Sequence, residues 1–104
     1  MKLNIYSIYD TAAALYLRPL FAQSDGEAIR AFSDAVLNKD TEYGKHPEDY
    51  SLFRGGIFDD NTFALTNEDK ACLLTGLMAV ANSRKINTNN VEQMDLDIAA
   101  GGSA

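Results

Sequence analysis

One cysteine, one histidine and two prolines are all that 104 residues contain of these types. A lone cysteine, Cys72, cannot close an internal disulfide, which excludes a disulfide-stapled scaffold and points to a reducing compartment. Cys72 sits in an apolar run, so a buried thiol is expected. A single histidine with a single cysteine does not make a zinc site, so neither metal nor other cofactor is expected. His46 falls in a polar loop and Cys72 in the apolar stretch, a poor arrangement for a nucleophile and its base. Phosphate-cradling loops, dinucleotide fingerprints and nucleophile elbows are missing too, and the chain reads as a non-enzyme. No stretch approaches the roughly 18 consecutive apolar residues of a membrane span. The opening MKLNIYSIYD alternates polar and apolar residues, unlike a secretion signal, so no membrane partner is expected.

Basic residues are also scarce: nine Lys and Arg face fifteen Asp and Glu, for a net charge of −6. That sign excludes a protein that coats DNA by replacing its counterions, so any nucleic-acid role must rest on a local patch. What the chain has is apolar content, 46%, enough to bury a core in one domain of this length.

The stretch LNIYSIYDT alternates and is rich in Ile and Tyr, which predicts a strand. LYLRPLFA predicts a second strand, hairpinned to the first and confined to an edge by Pro19, which has no N–H to give a ladder. Ser24 and Glu27 match a capping box, and Ile29, Phe32 and Val36 follow at helical spacing with Ala28 and Ala35 beside them. A helix should run from there to about Asn38. DTEYGKHPEDY reads as a loop. In YSLFRGGIFDDNTFALT the spacing predicts two strands about a turn at Asp59–Thr62, with a bulge at Gly55–Gly56. Asp59, Asp60 and Asn61 do not match a calcium loop, because the fifth position is Phe63. Thr66 is placed to cap a second helix over about 67–83, with Leu74, Leu77 and Val80 or Ala81 as its apolar stripe.

The order β-β-α-β-β-α predicts an α+β fold, an antiparallel sheet of about four strands with a helix on one face. Residues 1–85 form the expected single domain, and 86–104 a flexible or partner-ordered tail. A two-residue period sorts the first strands into an apolar side (Leu3, Ile5, Leu15, Leu17) under the helix and a free side with Tyr6, Tyr16 and Arg18. Lys2 and Arg54 join that free side. Rings that stack on bases, with cations for phosphates, hold single-stranded nucleic acid without sequence preference. Lys2, Tyr6, Tyr16, Arg18 and Arg54 are therefore the candidate contacts. The same face equally suits a homo-oligomer contact.

The segments MKLNIYSIYDT, AIRAFSDAV and KHPEDYSLFRGGIFDDNT resemble the small nonstructural protein of gokushoviruses, tailless microvirus phages with single-stranded DNA genomes. The likeness spans roughly residues 1–66. It implies a phage protein of the bacterial host cytoplasm, absent from the mature capsid and associated with viral DNA replication and packaging. It supplies no catalytic or ligand residues. Two functions follow as expectations: an accessory factor that binds single-stranded DNA weakly, or a homo-oligomeric module that contacts phage replication or assembly proteins and no DNA.

Overall fold

A computed structural model describes residues 1–84. Five strands form one antiparallel sheet: β1 (Lys2–Asp10), β2 (Leu15–Tyr16), β3 (Leu20–Ala22), β4 (Tyr50–Asp59) and β5 (Ala64–Thr75). β4 lies along one side of β1 and β5 forms the far edge. β2 and β3 share the other side of β1. Helix α1 (Asp25–Leu37), a one-turn α2 (Glu42–Lys45), a 3-10 turn (Pro47–Asp49) and α3 (residues 76–84) complete the described chain. The expected α+β architecture is observed. The tail expected at 86–104 lies outside the described residues.

The helix α1 forms where the capping pattern places it. Ser24 Oγ accepts from the Glu27 N–H at 3.3 Å, and Glu27 reaches back to the Gln23 N–H at 3.2 Å. Ala28, Phe32 and Val36, four residues apart in turn, are its buried row, and the helix ends at Asn38. They pack on Tyr6, Ile8, Leu52 and Leu74 to form the core, with Ala22 and Ala79 at its margins.

The edge strand breaks at residues 17–19, as Pro19 requires, so the predicted single strand is two short ones. The break is bridged by backbone and side chain together. Leu17 N–H donates to the Ile8 carbonyl at 2.8 Å, and the Ser7 hydroxyl donates to the Leu17 carbonyl at 2.6 Å.

The second helix begins later than predicted. Residues 64–75 are strand, and helix starts only at 76, where Thr75 Oγ1 accepts from the Met78 N–H at 3.1 Å. NEDKACLLT has no strong strand signature. Its ladder to β4 decides the matter, because Asn67, Ala71, Cys72, Leu74 and Thr75 gain partners on the strand the turn brings alongside, with irregularities at 68–70 and Leu73 between them. Leu77, expected in the apolar stripe, is 57% exposed; Ala79 is buried and Val80 packs against the core. The loop at 40–50 is partly helical because Thr41 caps α2, its Oγ1 accepting from the Gly44 N–H at 3.0 Å.

Candidate functional site

Antiparallel register decides which face each side chain takes, and it inverts the expected sorting. Tyr9 pairs with Tyr16 and Asp10 with Leu15, so even residues of β1 share a face with Leu15 and Leu17. A one-residue change of register exchanges the two faces of a strand. Leu3 and Ile5 therefore lie on the uncovered face, and Tyr6, 1% exposed, lies under α1. Tyr6 is thus corrected from a free ring to a core residue.

Its hydroxyl is held in a polar knot. The Tyr6 O–H donates to Asp25 Oδ1 at 2.8 Å and accepts from Asn4 Nδ2 at 3.0 Å. Arg54 donates to Asp25 Oδ2 at 2.6 Å, and its Nε lies 3.9 Å from Glu68. Arg54 is committed to these acids on the helix side, beside Tyr6 in register, and is corrected from the free face for the same reason. Lys2 and Arg18 are exposed, Lys2 opposite Asp59 at the end of β1 and Arg18 in the break before β3. Of the five expected contacts, the open face holds Tyr16.

Burial pushes the Tyr6 phenol above its ordinary value of 10.0, helped by the bond to Asp25; burial does the same to Tyr50, helped by Asp10. Both groups are neutral in either state below about pH 10. Above it the unfolded chain ionises first, so stability falls as pH rises through that range and is flat in tyrosine terms below it. Denaturant titrations across alkaline pH should show the fall, and Tyr6→Phe should make it shallower. An unchanged slope in Tyr6→Phe would contradict the assigned burial.

The open face carries more rings than the sequence suggested. Tyr9, Tyr16 and Phe53 meet edge to face, with centroids 4.7, 5.6 and 6.4 Å apart. Lys70 Nζ stands 5.1 Å from the Tyr16 centroid. A second row joins Phe21, Phe58 and Phe63, at 5.5 and 5.7 Å.

Both rows depend on interruptions in the strands beside β1. Tyr16 and Phe21 are five residues apart, as are Phe53 and Phe58, and regular strands would put the members of each pair on opposite faces. The break at 17–19 and the bulge at Gly55 each insert one residue. As a result Tyr16 and Phe21 face with Tyr9 and Ile5, and Phe53 and Phe58 with Ser7 and Leu3. The bulge expected at the glycine pair is thus observed. Gly56 also suits its place because a Cβ there would lie 2.7 Å from the Thr66 carbonyl oxygen.

Cys72, expected in the core, is exposed in β5 opposite Phe53. His46 is exposed beside α2, its Nδ1 3.8 Å from a Glu48 carboxylate oxygen, and Cys72 and His46 lie on different elements. A cavity of about 420 Å³ opens between α1, α2 and α3, among Val36, Pro47, Val80, Lys39 and Arg84. No helix among the described residues is long and apolar enough to cross a membrane.

The family described as Phage ORF5 protein matches residues 3–80. The chain belongs to that family. The match takes in every strand, α1 and the start of α3, so the open face lies within the segment that defines this phage family. No curated protein and no solved structure matched the chain. As a member of a phage family it is a phage protein, which agrees with the origin implied by the resemblance in its first two-thirds.

Sequence reasoning missed Tyr9, Phe53, Phe21, Phe58, Phe63 and Lys70. The chain holds ten aromatic residues, a count that does not say which of them lie outside the core. Their face was not legible without the register.

Proposed function

We propose that this phage protein is a nonstructural accessory factor of viral single-stranded DNA replication and packaging. It acts in the host cytoplasm and holds single-stranded DNA weakly on the Tyr9–Tyr16–Phe53 part of its open face. One observation carries the reading: an ammonium, Lys70, beside three contiguous rings on a sheet face that no helix among the described residues covers. Bases stack on such rings whatever their sequence, and the ammonium meets phosphate. Arg18, exposed two residues from Tyr16, is a second phosphate contact; Lys2, an even residue at the far end of β1 opposite Asp59, is not one. The gokushovirus-like segments support the replication setting. The net charge of −6 keeps affinity low and salt-sensitive.

Fluorescence anisotropy with an unstructured oligonucleotide at low salt tests this. Tyr16→Ala should weaken binding by about 1–3 kcal/mol, the worth of one stacked base. Lys70→Gln should lower the slope of log K on log salt by about 0.7, the share of one phosphate contact on a single strand. Arg54→Gln should leave binding alone, because Arg54 faces the other way. Absence of binding at low salt and high protein concentration sinks the reading.

A second reading is favoured by the Phe21–Phe58–Phe63 row, which carries rings and no cation contact among the described residues. It is a homo-oligomeric module that regulates the phage replication initiator or an assembly intermediate without touching DNA.

A further inference from the structure

The β4–β5 turn presents a side chain that the single subunit does not explain. Residues 60–63 form the turn, closed by the Phe63 N–H donating to the Asp59 carbonyl at 2.8 Å. Phe63 has φ 61°, the left-handed region that glycine or asparagine fills readily and a bulky residue enters at a cost. Burial does not offset that cost, because Phe63 is 76% exposed and its ring only touches the edge of Phe58. A strained residue that persists without local compensation is a pointer to function. Leu65, next on β5, is 62% exposed, and Phe21 at the other end of the row is 48% exposed. Leu3 and Ile5 lie between them on β1.

We propose that this distal row, Phe63, Leu65, Phe58 and Phe21 with Leu3 and Ile5, is the surface through which two copies of this chain form a two-fold dimer, face to face. Three features commit it to a second copy. The row is apolar across its width, and a two-fold contact needs one patch that complements itself. The acids at the tip are satisfied within the subunit: Asp60 holds the N-terminal ammonium at 2.7 Å, and Asp59 Oδ1 accepts from the Asn61 N–H at 2.9 Å. These contacts hold the acids within the subunit, and an anionic ligand is disfavoured beside them. Finally, the exposed parts of these residues amount to on the order of 500 Å² per subunit, so a pair hides up to about 1,000 Å², about the least that a specific interface needs.

Two sheets stacked this way lie about 10 Å apart. Tyr9, Tyr16 and Phe53 sit toward the other end of the strands from the row. The contact is centred away from those rings, so the mass measurement and the oligonucleotide measurement test the two readings separately.

The test is molecular mass against concentration by sedimentation equilibrium, with the full chain and Phe63→Asn. Asparagine accepts the left-handed turn, so this variant should fold at least as stably as the wild type while losing the ring. Wild type should be a dimer with Kd in the micromolar range, and Phe63→Asn should raise Kd roughly tenfold or more, as loss of a central aromatic contact does. Phe21→Gln, on another strand, should act in the same direction. Anisotropy with the oligonucleotide should still report binding to Phe63→Asn. A wild type that stays monomeric to roughly 100 μM, a Kd weaker than any working dimer, overturns the proposal. So does a Phe63→Asn protein that dimerises as tightly as the parent.

Discussion

Gly76→Ala should destabilise the protein by about 3 kcal/mol or more, although helix propensity alone would have alanine stabilise by about 1 kcal/mol at that position. Gly76 is the first residue of α3, and it lies against the 3-10 turn. A Cβ there would sit 2.0 Å from the Pro47 carbonyl oxygen and 2.8 Å from its carbon. Those are backbone atoms, so no rotamer change relieves the overlap. Either the start of α3 or the turn before β4 has to move, and Ala79 and Leu74, both in the core, move with α3 and the end of β5. Gly26→Ala is the control. It is also helical, but the nearest atom to its Cβ is Ser24 Oγ at 4.0 Å, and alanine should stabilise there by up to about 1 kcal/mol. Urea midpoints at one fixed protein concentration compare the two. If Gly76→Ala matches or exceeds the parent, the close approach of α3 to Pro47 is wrong.

Leu52→Ala should cost roughly 2–5 kcal/mol, a large part of the stability of a small domain. Leu52 is 0% exposed and lies in register between Ile8 on β1 and Leu74 on β5, beneath Phe32 and Val36 of α1. Removing it takes away burial at a row where three strands and the helix meet. The strands beside the hole are pinned by their ladders, so the site collapses little and the cavity term is retained. At about 3 kcal/mol, Tm should drop by at least about 12 °C. Phe53→Ala, its neighbour in sequence, tests the face assignment. Phe53 lies half-buried on the open face, so its loss should cost less than that of Leu52. The reverse order would mean that the two faces of β4 have been exchanged.

Much of the fold was legible because it rests on local chemistry. Ser24 and Glu27 mark the start of α1, its buried row has helical spacing, Pro19 confines its segment to an edge, and the glycine pair marks a bulge. The strand at 64–75 was misread because its residues tolerate a helix; the partner strand supplies the deciding hydrogen bonds. The site was less legible. Tyr6 and Tyr16 look equivalent in an alternating sequence, yet one is core and the other open. Arg54 reads as a free cation, and Asp25, 29 residues earlier, binds it.

Composition and local pattern by themselves determined an acidic, disulfide-free α+β chain with one capped amphipathic helix and a hairpin around an acidic turn. Those features depend on residues within a few positions of one another. Only the tertiary structure decided which face of the sheet is open. That choice rests on the parity of strand register, and two single-residue interruptions, at 17–19 and at Gly55, reset the parity partway along the neighbours of β1. An alternating sequence fixes which residues share a face within an unbroken strand. It does not fix how that face aligns with the next strand's, and here the alignment assembles two aromatic rows on the side that α1 leaves bare.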